Sequence, residues 1–182
     1  MLVTIIIYVL LISVAFLLVY SLLEVFLTHK TPFVQTPTQT FKNIKQILDE
    51  NFNSSFVFYD LGCGTGALLK NLARHFPKST FIGIENSFFV YLFGRLNILG
   101  AGNVSIKFGS FETFNISDGT VFYCWLLPHT LQKAYQKIAA LKSSEITLIS
   151  CDFAVPNVVE NQKISTGVKG PFGHTLYVYK FN

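Results

Sequence analysis

The chain is poor in cysteine, and its three cysteines lack the spacing of a metal site. Cys63, Cys124 and Cys151 contain no C-x-x-C pair, and their odd number indicates reduced thiols rather than a disulfide framework. We interpret them as small buried apolar side chains and expect no metal centre. Their scarcity argues against zinc-binding and disulfide-stapled folds.

Charge is also scarce, since Asp, Glu, Lys and Arg make up 13% of the 182 residues. The 14 basic residues exceed the 10 acidic ones by four, without the clusters that nucleic-acid binding or a polybasic lipid site requires. We therefore predict no nucleic-acid partner.

One segment, residues 2–23, lacks charge altogether and is rich in Ile, Leu and Val. As a helix it would be about 33 Å long, enough to cross a bilayer. A cleaved signal peptide is the alternative, but the run is longer than such a peptide's apolar region, no charge precedes it and no A-x-A site follows. We predict a transmembrane signal anchor over residues 1–27.

The residues after this run suggest its orientation. Lys30, Lys42 and Lys45 follow it and no Lys or Arg precedes it, so the positive-inside rule places the remainder of the chain in the cytoplasm. We predict a single-pass membrane protein with a connecting segment and N-terminal helix over residues 28–55, and a main domain over residues 56–182. In that helix, Thr36, Pro37 and Gln39 are expected to be the N-cap, the first helical residue and the capping-box partner.

The most informative stretch is F-V-F-Y-D-L-G-C-G-T-G-A-L-L, from Phe56 to Leu69. Its apolar start indicates an interior parallel strand, and Gly62, Gly64 and Gly66 let the backbone turn tightly beneath a ligand. The helix that follows would aim unpaired N–H groups at that ligand. The stretch therefore predicts a nucleotide-binding turn.

Asp60 bears on which nucleotide is bound. With Ala67 in the last place, the stretch satisfies the G-x-G-x-x-G/A pattern of dinucleotide-binding folds. A carboxylate at Asp60 would repel a pyrophosphate, however, whereas it could hold an ammonium group. The form h-D-h-G-x-G-x-G resembles motif I of class I methyltransferases, which bind S-adenosylmethionine, and we favour that cofactor over NAD.

The remaining elements predict the fold class. Four further segments are predicted to be strands, with helices between them: residues 80–85, 104–108, 120–127 and 145–151. This alternation predicts a mostly parallel sheet with helices on both faces. Residues 158–165 and 175–181 instead predict a C-terminal antiparallel hairpin, which is typical of methyltransferases. We predict an α/β, Rossmann-like class I methyltransferase domain preceded by one transmembrane helix.

The predicted helix from Phe88 to Leu99 is apolar on nearly every side, with Arg95 and Asn97 as its only strongly polar residues. Either its aromatic side chains touch a bilayer, as in an interfacial helix, or the helix packs against the sheet and the N-terminal helix.

Two strand ends supply further candidates for cofactor contacts. Glu85 ends the second strand, where a carboxylate can accept both hydroxyls of a ribose; the alternative is an exposed acid at a strand end. The third strand ends in F-G-S-F, which puts Ser110 and Phe111 where an adenine would be contacted.

The methyl acceptor is expected near the end of the fourth strand, C-W-L-L-P-H, because ligands of open α/β sheets bind outside the carboxyl ends of strands. Pro128 would fix the turn, and His129 would accept a proton or simply begin a helix. Asp152, after the fifth strand, would line the same edge or stabilise a turn. Trp125 would contact a cation or pack in the core.

Together, the anchor, P-F-V-Q-T-P before the first helix, D-L-G-C-G-T-G, G-I-E, L-L-P and D-F-A-V-P resemble the family of membrane-anchored protein-lysine methyltransferases. That family includes the mitochondrial enzymes that modify the ATP synthase c subunit and the adenine nucleotide translocase, and small prokaryotic relatives. The resemblance covers roughly residues 30–181.

The resemblance implies S-adenosylmethionine as the cofactor and puts Thr36 and Pro37 near the active site. Ser110 stands in place of the family's Asp, and Thr65 stands where relatives often carry Asp. The candidate cofactor-binding residues are Asp60, Gly62, Cys63, Gly64, Thr65, Gly66, Glu85, Ser110 and Phe111.

The sequence thus predicts a membrane-anchored S-adenosylmethionine-dependent N-methyltransferase that acts on a lysine of a membrane or membrane-associated protein. Two alternatives stay open. One is methylation of a small lipophilic acceptor such as a quinone or lipid, and the other is a degenerate protein that binds the cofactor without turnover.

Overall fold

The computed structural model describes residues 2–28, 35–141 and 145–181, and the chain divides into two compact units. The first unit, residues 1–33, contains one helix, α1 (Leu2–Thr28). Its part from Leu2 to Tyr20 has a mean hydropathy of 3.1 and none of it is buried. A helix of this length and composition is able to cross a bilayer, and a signal sequence near an N-terminus has the same properties.

The second unit, residues 34–182, is an α/β domain with four helices and seven strands among the described residues. The helices are α2 (Thr38–Asn51), α3 (Ala67–His75), α4 (Phe88–Asn97) and α5 (Pro128–Ala139). The strands are β1 (Val57–Leu61), β2 (Thr80–Glu85), β3 (Val104–Phe108), β4 (Val121–Cys124), β5 (Ile146–Cys151), β6 (Gln162–Ser165) and β7 (Thr175–Phe181).

All seven strands form one sheet in the order β3-β2-β1-β4-β5-β7-β6. Strands β1 to β5 are parallel, whereas β7 runs antiparallel to both β5 and β6. The direction of the strand order reverses between β1 and β4, so the carboxyl ends of the parallel strands open a crevice there. This topology confirms the mostly parallel sheet and C-terminal hairpin that the sequence predicts.

Helices cover both faces of the sheet, as predicted. Phe58 of β1 belongs to a core that includes Ile44 of α2 and Leu69 of α3. The next residue, Tyr59, points the opposite way, into a core that includes Leu131 of α5. Since successive side chains of a strand alternate between faces, the next residue, Asp60, returns to the face of α2 and α3.

Two element boundaries predicted from the sequence are wrong, and both lie next to a turn. The fourth strand was expected over residues 120–127, but β4 ends at Cys124, and Pro128 already begins α5. Thr36 is not the N-cap of α2, because that helix begins two residues later with Pro37 in the N-cap position and no side-chain cap hydrogen bond. Phe41 N–H bonds the Pro37 carbonyl instead, so the first helical turn closes without a hydroxyl.

The packing of α4 depends on one glycine. Gly94 is the only buried residue that α4 contributes, and a Cβ there would lie 2.9 Å from Ile106 Cδ1 and 3.1 Å from the Gly64 carbonyl oxygen. Both distances are shorter than van der Waals contact, so the absent side chain lets α4 approach the glycine turn after β1.

We expect Gly94→Ala to lower the free energy of unfolding by about 1–3 kcal/mol, because α4 or the turn has to move. Alanine normally stabilises a helix interior by about 1 kcal/mol relative to glycine, so a loss reports the clash. Gly102→Ala is the matched control, since nothing lies within 4 Å of its added Cβ. Denaturant unfolding measures both variants, and equal stabilities would contradict the proposed close approach.

Candidate cofactor and acceptor site

The glycine turn between β1 and α3 is held over the end of β2. Gly62 and Cys63 N–H groups both donate to the Ile84 carbonyl, at 2.8 and 3.2 Å. The φ angles of Gly62, Gly64 and Gly66 are +95°, +56° and +68°. Residues other than glycine rarely adopt such positive values. Gly66 is the N-cap of α3, so the first N–H groups of that helix have no partner within the helix, and their contact with a ligand stays a prediction.

Cys63 lies inside this turn and is buried. Burial raises the pKa of its thiol well above the usual value, and the negative charges of Asp60 and Glu85 raise it further. The thiol therefore stays protonated at neutral pH and fills space. This agrees with the sequence-based interpretation of the cysteines as small apolar residues.

Glu85 joins two turns through one carboxylate. Its Oε2 accepts a hydrogen bond from the Gly64 N–H at 2.9 Å, and its Oε1 accepts one from the Ser87 N–H at 2.8 Å. Only 8% of the residue is exposed, so the alternative of an exposed acid at a strand end is wrong. Each carboxylate oxygen has a second lone pair that can accept a further hydrogen bond. Two such bonds are the number needed to bind the two hydroxyls of a ribose.

Asp60 adds a second buried acid at the same edge. It is 3% exposed, and its pKa is raised well above the usual value, first by burial and then by the negative charge of Glu85. A bound cation would lower the free energy of both ionised carboxylates. The pair therefore fits a ligand that carries positive charge, as S-adenosylmethionine does on its ammonium and sulfonium groups.

Tyr123 is a site residue that the sequence analysis missed. It is paired with Asp60 in the register of β1 and β4. Its buried hydroxyl has no hydrogen-bond partner at bonding geometry among the described residues, although Thr36 and Cys151 are close neighbours. Burial raises the pKa of this hydroxyl, so it remains a neutral donor. Only the strand register could have revealed it, because nothing in the local sequence marks it.

The segment before α2 lies beside the glycine turn. Gln35, Thr36 and Phe41 line a small cleft together with residues of the first turns of α3, namely Ala67, Leu68 and Asn71. Pro37 lies against the loop between β6 and β7, since a Cβ on Gly173 would be 2.9 Å from its ring. Residues 32–34 of P-F-V-Q-T-P lie outside the described residues.

Ser110 and Phe111 follow β3 next to Glu85, whose carbonyl accepts the Gly109 N–H at 2.9 Å. Ser110 Oγ accepts the Glu112 N–H at 3.3 Å and so stabilises its own turn, while its proton is still available for donation. Phe111 is buried in the core on the α5 side. Their contact with an adenine stays a prediction.

Pro128 and His129 begin α5, as the helix-start alternative expected. Pro128 occupies the first turn, and the Leu127 carbonyl accepts the Leu131 N–H at 2.9 Å. The Leu127 carbonyl is therefore used by the helix. The His129 side chain is exposed, and its role as a proton acceptor stays a prediction.

Asp152 has three backbone partners. Its Oδ2 accepts the Gly173 N–H at 2.6 Å, and its Oδ1 accepts the N–H groups of His174 and Thr175 at 2.7 and 3.2 Å. These bonds tie the loop between β6 and β7 to the end of β5, which is the turn-stabilising alternative. A catalytic role for this carboxylate has no support in the geometry.

This loop brings an aromatic side chain to the acceptor edge. Phe172 is 48% exposed, and its ring lies 6.4 Å from that of Trp125 in an edge-to-face arrangement. Trp125 itself is half-buried against the core on the α2 and α3 side. The pair forms an aromatic surface beyond β4, and the contribution of Phe172 was missed because it lies 47 positions from Trp125 in the sequence.

Comparison with known proteins agrees with this fold. No family model matches the chain. It is 25% identical over 151 residues to a protein-lysine N-methyltransferase of Saccharolobus islandicus strain REY15A, which covers 81% of this chain and 92% of the relative.

Two solved structures are also similar. An RNA methyltransferase from Salinibacter ruber in complex with S-adenosyl-L-homocysteine is 26% identical with a TM-score of 0.69, covering 80% of this chain and 92% of that one. PKMT2 from Rickettsia typhi in complex with AdoHcy is 20% identical with a TM-score of 0.52, covering 66% of this chain and 27% of that one.

The chain therefore has the class I S-adenosylmethionine-dependent methyltransferase fold, which confirms the fold class predicted from the sequence. The relatives with sequence similarity are methyltransferases, and both solved neighbours hold S-adenosylhomocysteine, in agreement with the predicted enzyme class and cofactor. Their acceptors differ, since one relative is a protein-lysine enzyme and another is an RNA enzyme.

The raised pKa of Asp60 predicts a pH-dependent affinity. The ligand's ammonium group favours the ionised carboxylate, so S-adenosylhomocysteine should bind more tightly as pH rises through the elevated pKa. Asp60→Asn should weaken binding and flatten this dependence. Calorimetric titration across pH measures both effects, and a parallel profile in the variant would contradict the assignment. Asp49→Asn, an exposed acid of α2, is the matched control.

The same substitution should stabilise the ligand-free domain. The protonated Asp60 contributes stability that is fully present below the unfolded pKa of about 3.9 and is lost as pH rises toward the higher folded value. Each unit of elevation corresponds to about 1.4 kcal/mol. At neutral pH, Asp60→Asn should therefore raise the melting temperature while it lowers affinity, which separates an electrostatic role from simple loss of folding.

Proposed function

We propose that the chain is a membrane-anchored S-adenosylmethionine-dependent N-methyltransferase that modifies a lysine of a membrane or membrane-associated protein. The observation that carries the methyltransferase part is the buried pair of Asp60 and Glu85 at the end of β1 and β2, which fits a cationic nucleoside. The lysine part is supported by the Saccharolobus relative and by the aromatic pair at the acceptor edge.

Different residues of the crevice would bind different parts of the cofactor. Glu85 would hold the ribose hydroxyls, Asp60 would accept from the ammonium group, and the Tyr123 hydroxyl would donate to the carboxylate of the amino-acid end. The N–H groups of the first turn of α3 would meet the carboxylate. When bound, S-adenosylmethionine would supply a methyl group on a sulfonium: a neutral amine would form the new N–C bond as the S–C bond breaks, and neutral S-adenosylhomocysteine would leave.

The chain's contribution to the reaction is placement and desolvation. Holding an amine in line with its target makes the reaction effectively unimolecular, so no covalent attachment to the protein is needed. A lysine ammonium has a reference pKa of about 10.4, and an apolar, water-poor entrance favours its neutral form. Trp125 and Phe172 provide an apolar surface on which the lysine's methylene groups would lie, and the bound acceptor would exclude water from it.

The membrane part is supported by α1 and by the charges that follow it. The uncharged Leu2–Tyr20 segment has the length and hydropathy of a membrane span. Lys30, Lys42 and Lys45 lie after it, and we propose that the catalytic domain is on the cytoplasmic side.

An RNA acceptor is the main competing proposal, because the Salinibacter neighbour is an RNA methyltransferase. The basic residues of this chain do not cluster as nucleic-acid binding requires, which favours a protein acceptor. A quinone or lipid acceptor shares every cofactor residue, and only the fate of the methyl group separates it from a lysine.

The test incubates the full-length protein with methyl-tritiated S-adenosylmethionine and host membranes, then separates lipid, RNA and protein and hydrolyses the protein. We expect methyllysine with the parent and a loss of at least about tenfold with Glu85→Ala, because that variant leaves two buried N–H groups unpaired. Glu112→Ala, an exposed acid on the turn after β3, is the matched control and should keep full activity.

Each other location of the label contradicts part of the proposal. Label in lipid or RNA would replace lysine as the acceptor and keep the methyltransferase assignment. No label in any fraction, with S-adenosylhomocysteine still bound tightly, would favour a binding protein without turnover.

The aromatic pair should act on the acceptor alone. We expect Phe172→Ala to raise KM for the protein acceptor by about fivefold or more, since a lost aromatic contact costs about 1 kcal/mol, and to leave the Kd of S-adenosylhomocysteine unchanged. Val159→Ala removes an apolar group that is 89% exposed and is the matched control. An equal change in cofactor Kd would show that Phe172 acts through the loop rather than on the acceptor.

A further inference from the structure

The outer face of α4 and the adjoining end of β3 form one exposed apolar surface, which we call the α4 face. Its members and their exposed fractions are Phe88 (49%), Leu92 (46%), Phe93 (62%), Leu96 (58%), Leu99 (71%) and Phe108 (48%). A soluble domain this small does not ordinarily expose so many large apolar side chains side by side.

Helical spacing explains why these residues share a face. Phe88, Leu92 and Leu96 recur every four residues and therefore follow one another along a single stripe. Gly94, the buried residue, lies on the opposite side of the helix, where it meets Ile106 and the glycine turn. The helix thus presents its smallest residue to the sheet and its largest apolar residues to the outside.

The stripe continues onto the sheet. Phe88 and Phe108 pack edge to face with their ring centroids 5.5 Å apart. Phe108 ends β3, which is the edge strand of the described sheet. The surface is therefore continuous across a helix and a strand end, rather than a row of isolated side chains.

The charges around the α4 face have one sign. Between Asn86 and Phe111 the only charged residues are Arg95, which is exposed, and Lys107, which is half-buried with its ammonium over the Phe114 ring. The nearest acids in sequence are Glu85, which is buried, and Glu112, which is paired with Lys133. Lys107 lies between Ile106 and Phe108 in β3 and therefore points to the other face of the sheet, so Arg95 is the cation that belongs to the α4 face. An apolar surface that carries a cation and no acid complements the interface of an anionic bilayer.

The length of the segment between α1 and α2 also favours a membrane as the partner of the α4 face. Nine residues lie between Thr28 of α1 and Thr38 of α2, so this part of the chain extends over at most about 35 Å. If α1 is anchored in a bilayer, the domain cannot leave the neighbourhood of that membrane. A large apolar surface that carries Arg95 then has a lipid interface continuously within reach.

We propose that the α4 face docks on the cytoplasmic surface of an anionic membrane and orients the domain there. The proposal rests on the membrane anchoring proposed above and is independent of the identity of the methyl acceptor. Phe88 follows Ser87, whose N–H is bound by Glu85, and Phe108 precedes Gly109, whose N–H bonds the Glu85 carbonyl. Docking therefore holds the cofactor edge of the sheet close to the lipid headgroups.

The experiment uses the full-length chain with a fluorophore on one introduced thiol, reconstituted in vesicles of phosphatidylcholine and phosphatidylglycerol. The three native cysteines are buried, so the label attaches to the introduced thiol. Phe93→Cys probes the α4 face, and Gln136→Cys, an exposed position of α5, is the control on the opposite side of the sheet. Lipids with a nitroxide near the headgroup serve as the quencher.

We expect the label at position 93 to be quenched several-fold more than the label at position 136. Arg95→Gln should reduce the quenching at position 93 in these vesicles to its level in phosphatidylcholine alone. Leu96→Cys provides a second position on the same face if the first variant does not fold.

Flotation of the same vesicles separates this proposal from the membrane anchor. Flotation with equal quenching at both positions would overturn the docking and leave the anchor intact. A label at position 93 that is shielded from water but not quenched by lipid would assign the face to a second copy or another protein, and would also overturn it. Loss of flotation would overturn the anchor and the docking together.

Discussion

The organisation of the crevice depends on one buried carboxylate. Glu85 binds the Gly64 N–H of the turn after β1 and the Ser87 N–H at the start of α4, and its own carbonyl receives the Gly109 N–H after β3. Three consecutive strands of the sheet are therefore connected at their carboxyl ends through a single residue. Because hydrogen bonds to a buried charge are stronger than neutral ones, this connection fixes the shape of the glycine turn.

The same residue makes the ligand-free site unfavourable for Asp60. Two acids are buried at adjoining strand ends, and the pKa of Asp60 rises because burial and Glu85 both oppose its ionisation. A cationic ligand offsets the free-energy cost of ionising Asp60. The buried acid therefore lowers the stability of the ligand-free domain and raises its affinity for the ligand. The buried Tyr123 hydroxyl follows the same logic, since a donor without a partner at bonding geometry in the described protein is complemented by an acceptor on the ligand.

The sequence predicts those features of the fold that depend on residues close together in the chain. Strands β2, β3 and β7 begin and end where the sequence placed them, because β-branched and aromatic residues favour strands and mark them in the sequence. The glycine turn is likewise local, since three of its φ angles require glycine. Asp152 was ambiguous because its partners Gly173, His174 and Thr175 are more than 20 residues away. Tyr123 was invisible because only the pairing of β4 with β1 puts it beside Asp60.

The sequence left α4 with two alternatives because its composition is apolar on nearly every side, and composition alone does not say which side is covered. Within the second unit, β3 is an edge strand, and the helix beside it meets the sheet along the line of Gly94 with no further element of that unit outside it. Complete burial would need a neighbour that this small fold does not supply. An anchored chain has such a neighbour in the bilayer, and the proposed docking would then bring the end of β2, where Glu85 lies, close to the lipid headgroups. In this arrangement the α4 face selects acceptors by their position, because only groups near the membrane surface reach the site. The acceptor edge selects them by chemistry, through its aromatic side chains.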